Sequence, residues 1–149
     1  MAARKGIAEV NGVSTGTSIK TLIQLVAATN HAIDVVEVGI GFHGTNNTNA
    51  PILVQLTRQG DAGTSSALTS VKADDSVGDT LDTTARDTFT GEPASNTDVL
   101  RSWSVHPQTS MVYQLHDLAG VTVGAGDRLG LRVTAADAVD ADAYICFVE

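Results

Sequence analysis

The chain has 149 residues, 42% of them hydrophobic and 4% aromatic, with 9 basic against 17 acidic side chains and a net charge of −8. That length suits one domain, and that hydrophobic share excludes global disorder. The basic residues are scattered from Arg4 to Arg132 with no cluster, so neither nucleic acid nor an anionic membrane surface is an expected partner.

Residues 1–18 are small, polar and weakly patterned; Arg4, Lys5, Ile7 and Val10 suit an N-terminal arm or an edge strand. Residues 19–149 read as a single domain. Over 19–27, Ile19, Ile23 and Leu25 alternate with Lys20 and Gln24, and the β-branched Ile19, Thr21, Ile23 and Val26 disfavour a helix. A turn at 29–31 makes this segment and the next either a hairpin or a short sheet-to-sheet crossing. Residues 33–58 are the most informative stretch. Val36, Val38, Ile40 and Phe42 share one face of a first run, and Ile52, Val54 and Leu56 share one face of a second, across a Gly/Asn/Thr loop. Gly39 and Gly41 flank Ile40 on a bare face, which reads either as close approach of another chain or as a local bend.

Residues 59–98 hold few large apolar side chains, and their many carboxylates face only Lys72 and Arg86. Short strands are expected around Ala67, Leu68 and Val71 and over 84–90; the rest reads as long solvated loops at one end of a sandwich. Residues 99–116 form the clearest hairpin, with Val99, Arg101, Trp103 and Val105 facing one way, Leu100, Ser102 and Ser104 the other, and Pro107 marking the loop. Trp103 beside Arg101 reads either as an interface anchor or as partly buried core. Val121 and Val123 lead to a glycine-rich turn at 124–127. Leu129, Leu131 and Val133 then alternate with Arg128, Gly130 and Arg132, and an acidic loop at 135–142 precedes a last strand, AYICFV. The whole is an all-β antiparallel β-sandwich of about eight strands, with no helix longer than a turn or two.

A search for chemistry assigns no catalytic, metal or cofactor residue. His31, His43, His106 and His116 sit in no HxH, HExxH or Cys/His pattern, and there is no G-x-S-x-G. The single cysteine, Cys146, excludes an intramolecular disulfide and reads as core filling within YICFV. Asp74, Asp75, Asp79 and Asp82, and Asp137, Asp140 and Asp142, form clusters whose most plausible ligand is calcium, which takes roughly six to eight oxygens. Neither cluster follows EF-hand spacing, and solvated loops are the plainer reading. Asn46-Asn47-Thr48 matches a glycosylation sequon and reads as a polar loop. MAARKGIAEV is followed by no apolar stretch and is not expected to be a secretory signal; no apolar run approaches the ~20 residues of a membrane span.

The order of segments carries a resemblance. KTLIQLVAA (20–28), VGIGFHGT (38–45), APILVQLTRQ (50–59) and AGTSSALT (62–69), then EP (92–93), RSW (101–103), HPQ (106–108) and GDRLGLRV (126–133), resemble the small decoration, or cement, proteins of tailed-bacteriophage capsids. The resemblance covers the chain from about residue 19 onward and rests on turn and strand signatures. It implies a jelly-roll sandwich, a homotrimer on the outer surface of the virion, the major capsid protein as partner, and no enzymatic activity. An N-terminal arm reaching the shell would use Arg4, Lys5 and Ile7. Gly39, Gly41, Arg101 and Trp103 complete the expected interface. The alternative is a carbohydrate- or receptor-binding head-fibre or tail module, in which Trp103 and Tyr113 would serve as sugar platforms.

Overall fold

Period-two alternation dominates the chain, and among the described residues it produces twelve strands. In order these are β1 (Lys5–Ser14), β2 (Lys20–Val26), β3 (Ile33–His43), β4 (Ile52–Gln59), β5 (Thr64–Leu68) and β6 (Val71–Lys72), then β7 (Thr84–Gly91), β8 (Asn96–Val105), β9 (Ser110–Gln114), β10 (Val121–Val123), β11 (Arg128–Thr134) and β12 (Asp140–Val148). The structure is a computed structural model and describes residues 3–44, 49–76, 78–94, 96–115 and 120–149. The sequon at 46–48 and His116 lie outside the described residues.

The strands form two antiparallel sheets packed together. The front sheet runs β10-β3-β12-β1-β6, with β9 also on β3; the back sheet runs β5-β7-β2-β11-β4-β8. Between them lie Val38, Ile40, Phe42 and Ile145 from the front and Ile23, Leu25, Leu56, Leu129, Leu131 and Val133 from the back, each at most 5% exposed. Removing such a side chain from water contributes roughly 1.5–3 kcal/mol. The expected core faces of Ile52, Val54 and Leu56, and of Leu129, Leu131 and Val133, are the observed ones.

The strands expected around Ala67, Leu68 and Val71 and over 84–90 are present, as β5, β6 and β7, within a total that exceeds the expected eight. β5 pairs with β7, β7 extends the back sheet beyond β2, and β6 adds to the front sheet beside β1. Backbone pairing needs few large side chains, and Ala85 and Phe89 anchor this flap in the interior. β9 and β10 raise the number further by sharing one edge of β3, at residues 37–41 and 33–35.

The expected hairpin over 99–116 is a crossing. Thr109 N donates to His106 O at 3.1 Å in the turn, but β8 pairs with β4 in the back sheet and β9 with β3 in the front. Alternation specifies which face of a strand is buried, not which strand lies beside it. The turn at 29–31 likewise joins sheets rather than paired strands, since β2 and β3 lie in different ones.

Three bulges explain where the alternation misleads. In β3, Cys146 pairs with Glu37 and Phe147 with Val35, so Val36 has no partner on β12. The face inverts there: Val35 is buried and Val36 is 38% exposed, contrary to the expected core set. In β8 the register skips Leu100, which turns toward the core while Val99 is 48% exposed. In β1 the register shifts between Val10 and Val13, with Gly12 at φ 63° donating its N–H to Asp142 Oδ1 at 2.7 Å. Of arm and edge strand, residues 5–14 are a strand, held between β12 and, at Gly6 and Ile7, β6.

Candidate functional site

The outer face of the front sheet is the surface with the most to offer a partner. β12 lies at its centre, and Tyr144, Cys146 and Val148 point outward from it as Ile145 and Phe147 point in. Cys146 is therefore half-buried on the outside, not in the core as expected. Cross-strand register sorts the face into rows. Lys5, Val148 and Asp34 share one row; Val71, Ile7, Cys146, Glu37 and Gln114 the next; Glu9, Tyr144, Gly39 and Val112 a third. A groove of about 880 Å³ runs across the first two rows, with Val36 in its wall, Ala73 on one rim and Gly120 on the other.

Within this face Glu37 is an organised carboxylate. Tyr144 Oη donates to its Oε1 at 2.6 Å and Gln114 Nε2 to its Oε2 at 3.2 Å. The tyrosine bond, then the glutamine bond, hold the Glu37 carboxyl below the usual range. The same Glu37 contact, with burial, pushes Tyr144 up to about 12. Burial, then the Glu37 charge, raises the Cys146 thiol, so it is a poor nucleophile at neutral pH.

A second cluster closes one end of the sandwich. Arg4 donates to Thr80 O, sits 2.9 Å from Asp82 Oδ2 and places Nε 3.2 Å from Glu149 Oε1. Glu149, whose side chain is fully enclosed, also accepts the N–H groups of Asp82 and Thr83, each at 2.8 Å. Burial acts to raise the Glu149 carboxyl, but Thr83, the Asp82 N–H and Arg4 together outweigh it and hold it below the usual range. His31 Nε2 approaches Glu149 Oε2 at 3.5 Å. Among the described residues, His31, Asp82 and Glu149 are the one grouping with metal-ligand spacing. The guanidinium of Arg4 lies against both carboxylates, which makes this cluster a clasp between the chain ends and the flap.

The back sheet's outer face is closed differently. Gln24 Nε2 donates to Gln59 Oε1 and to Asp61 O, each at 2.8 Å, and Gln59 Nε2 donates to Thr21 Oγ1 at 2.9 Å. Thr21 in turn is held through its N–H and hydroxyl by Glu92. Gln59 lies over Gly130, where a Cβ would collide with it. Gln24, expected to alternate outward as a polar residue, is fully buried in this network.

The predicted interface residues fall in three places. Lys5, Ile7, Gly39 and Gly41 belong to the front sheet's outer face, on either side of β12. Gly39 is not bare: the Tyr144 ring covers it, and Ser110 lies against Gly41. Arg4 is in the clasp. Arg101 and Trp103 face inward from β8, and Trp103 packs on Tyr113 across the sheets with ring centroids 5.0 Å apart. His43 pairs with Asp142 at 3.2 Å, and His106 accepts the Gln108 N–H in its turn. Asp34, Val36, Glu37, Tyr144 and Cys146 were not anticipated as surface groups. The alternation in AYICFV was the available signal for the last two; the bulge hid Val36. Comparison of the chain with protein-family models, curated proteins and solved structures found no match.

Proposed function

We propose that this chain is a non-enzymatic structural protein that decorates and reinforces the outer surface of a tailed-phage capsid, and that its fold is a jelly roll carrying an added flap. The observation that carries the reading is the strand order. Without the flap, β1, β12, β3 and the β9/β10 edge face β2, β11, β4 and β8, and successive strands alternate between sheets except β4 and β8, which are neighbours, and β9 and β10, which share one edge of β3. This order supports a jelly-roll reading, a connectivity used in viral coats, lectins and cupins. Against a cupin-like enzyme, the interior positions are filled by Val38, Ile40, Phe42, Leu129 and Leu131, which offer no metal ligand. Against a sugar platform, the rings of Trp103 and Tyr113 pack on each other. The quoted turn and strand segments that resemble decoration proteins are consistent with the viral member of the three.

The test is co-sedimentation of the purified protein with DNA-free heads of the parent phage. Saturable binding, with heads that withstand heating better when coated, is the expected result. Absence of binding overturns the proposal, and glycan binding lost in Trp103→Ala would replace it with a carbohydrate-binding module.

A further inference from the structure

Asn11 and Gly12 are the one Asn-Gly step in the chain. They fall where the β1–β12 ladder opens: Val10 pairs with Ala143 and Val13 with Ala141, so both residues stand against the single residue Asp142. Both are exposed, and Gly12 takes the left-handed φ of 63° that the bulge requires. The two groups of this step that can react with each other are each held by a carboxylate. Gly12 N donates to Asp142 Oδ1 at 2.7 Å, and Asn11 Nδ2 donates to Glu9 Oε1 at 3.0 Å. His43 Nε2 lies 3.2 Å from the other Asp142 oxygen, Oδ2. The Gly12 bond, against burial and with help from His43, holds the Asp142 carboxyl below the usual range, so it stays charged at neutral and alkaline pH.

We propose that Asn11 is a modification site, converting without an enzyme to aspartate and isoaspartate, and that Glu9 and Asp142 set the rate by restraining the two reacting groups. In the reaction the Gly12 amide nitrogen gives its proton to hydroxide and attacks Asn11 Cγ. The new N–Cγ bond closes a succinimide ring; the Cγ–Nδ2 bond breaks, and the leaving nitrogen takes a proton from water and departs as ammonia. Water then adds to one imide carbonyl and reopens the ring. Cleavage of the N–Cγ bond leaves aspartate; cleavage at the Asn11 main-chain carbonyl leaves isoaspartate. The sum is one water consumed and one ammonia released, with no change of oxidation state. Glycine admits the attack because it has no Cβ, and the space around it is open. The carboxylates oppose it. Asp142 must release the Gly12 N–H before that nitrogen can lose its proton, and its charge disfavours an amide anion beside it. Glu9 ties down the Asn11 amide, which must break free to reach attack geometry. Conversion places a third carboxylate beside Glu9 and Asp142, and isoaspartate also adds a backbone carbon to β1 at its bulge. This inference does not rest on the capsid reading; either can fail alone.

Peptide mapping by mass spectrometry on the purified full chain, aged in mildly alkaline buffer, tests it. Enzymatic isoaspartyl methylation measures the isoaspartate, and a blocked peptide of residues 8–14, AEVNGVS, gives the unrestrained rate. Conversion at Asn11, several-fold slower than in the peptide, is the expected result. Asp142→Ala should speed it by about tenfold, as loss of a charge-assisted hydrogen bond implies, and Glu9→Ala by several-fold. Asp142→Asn, which keeps an acceptor without the charge, should fall between wild type and Asp142→Ala. Urea midpoints taken alongside check that each variant is folded, and the converted protein should unfold at lower urea than the fresh one. A full-chain rate equal to that of the peptide overturns the proposal. So does a rate unchanged in folded Asp142→Ala or Glu9→Ala, or a folded wild-type chain in which Asn11 does not convert. Should Asp142→Ala fail to fold, Asp142→Asn carries the comparison, and a rate no faster than wild type overturns the proposal equally.

Discussion

The ring of Tyr144 on β12 covers the backbone of Gly39 on β3, and its hydroxyl donates a 2.6 Å hydrogen bond to Glu37 two residues away. A Cβ at position 39 would fall inside the ring's van der Waals envelope. Gly39→Ala should therefore cost about 1–3 kcal/mol, the usual penalty for overpacking, read from urea midpoints. In a Tyr144→Ser background the same change should cost little. An equal cost in both backgrounds would mean the ring is not what requires glycine there.

Stability should fall in acid, in part through two glutamates. Glu149 and Glu37 are both held below the ordinary glutamate range. Their contribution is thus complete above the unfolded-chain value of about 4.3 and is lost as pH falls through the lower folded values. Urea midpoints should be flat from about pH 7 to 5 and decline below about 4.3. Glu149→Gln should lower the neutral-pH stability by about 1–2 kcal/mol, discounted for the open Asp82 side, and flatten the acid limb. In alkali the sign reverses: Tyr144, raised to about 12, contributes stability present below the unfolded tyrosine value of about 10 and lost as pH rises through 12.

Gln59 links two otherwise separate polar groups beneath the flap. Gln59→Ala removes one of the two acceptors of Gln24 Nε2, which keeps Asp61 O, and the donor to Thr21 Oγ1, which keeps Glu92. A loss of about 1–3 kcal/mol is expected, the cost of two buried hydrogen bonds. Hydrogen exchange should quicken in β5 and β7 before it does in β11 if the network holds the flap down.

Thr88 is an exposed β-branched residue at φ 51° within β7. That backbone region costs an L-residue roughly 1–2 kcal/mol, and asparagine or glycine much less. Thr88→Asn should raise the thermal midpoint with a gain of about 1 kcal/mol. A decrease would show that the threonine side chain is needed where it stands.

The only tryptophan reports on the crossing between β8 and β9. Trp103 fluorescence should follow global unfolding in a single transition with far-UV circular dichroism. Tyr113→Ala should redshift the folded-state emission and cost about 2–3 kcal/mol, less than a fully buried aromatic because both residues are only partly buried.

Much of this protein was legible before folding. Alternation in 52–56, 129–133 and 143–148 identifies strands with one apolar face, because that periodicity depends only on local geometry and side-chain type. Partnering was not legible. The turn at 106–109 looks the same whether it closes a hairpin or crosses between sheets, since that depends on which edges, on β4 and β3, stand available elsewhere. Bulges at Val36 and Leu100 invert a face through a residue skipped in the register with β12 or β4, which leaves no mark in the sequence pattern. Arg4 and Glu149, 145 positions apart, meet only because β1 and β12 pair, and Lys5 and Asp34 share a row only because β12 lies between them. The sequence by itself determined which stretches are strands and which of their faces avoid water, a local matter; the tertiary structure alone decided which charges and apolar groups are gathered on one open face, because register and strand order are set by long-range pairing.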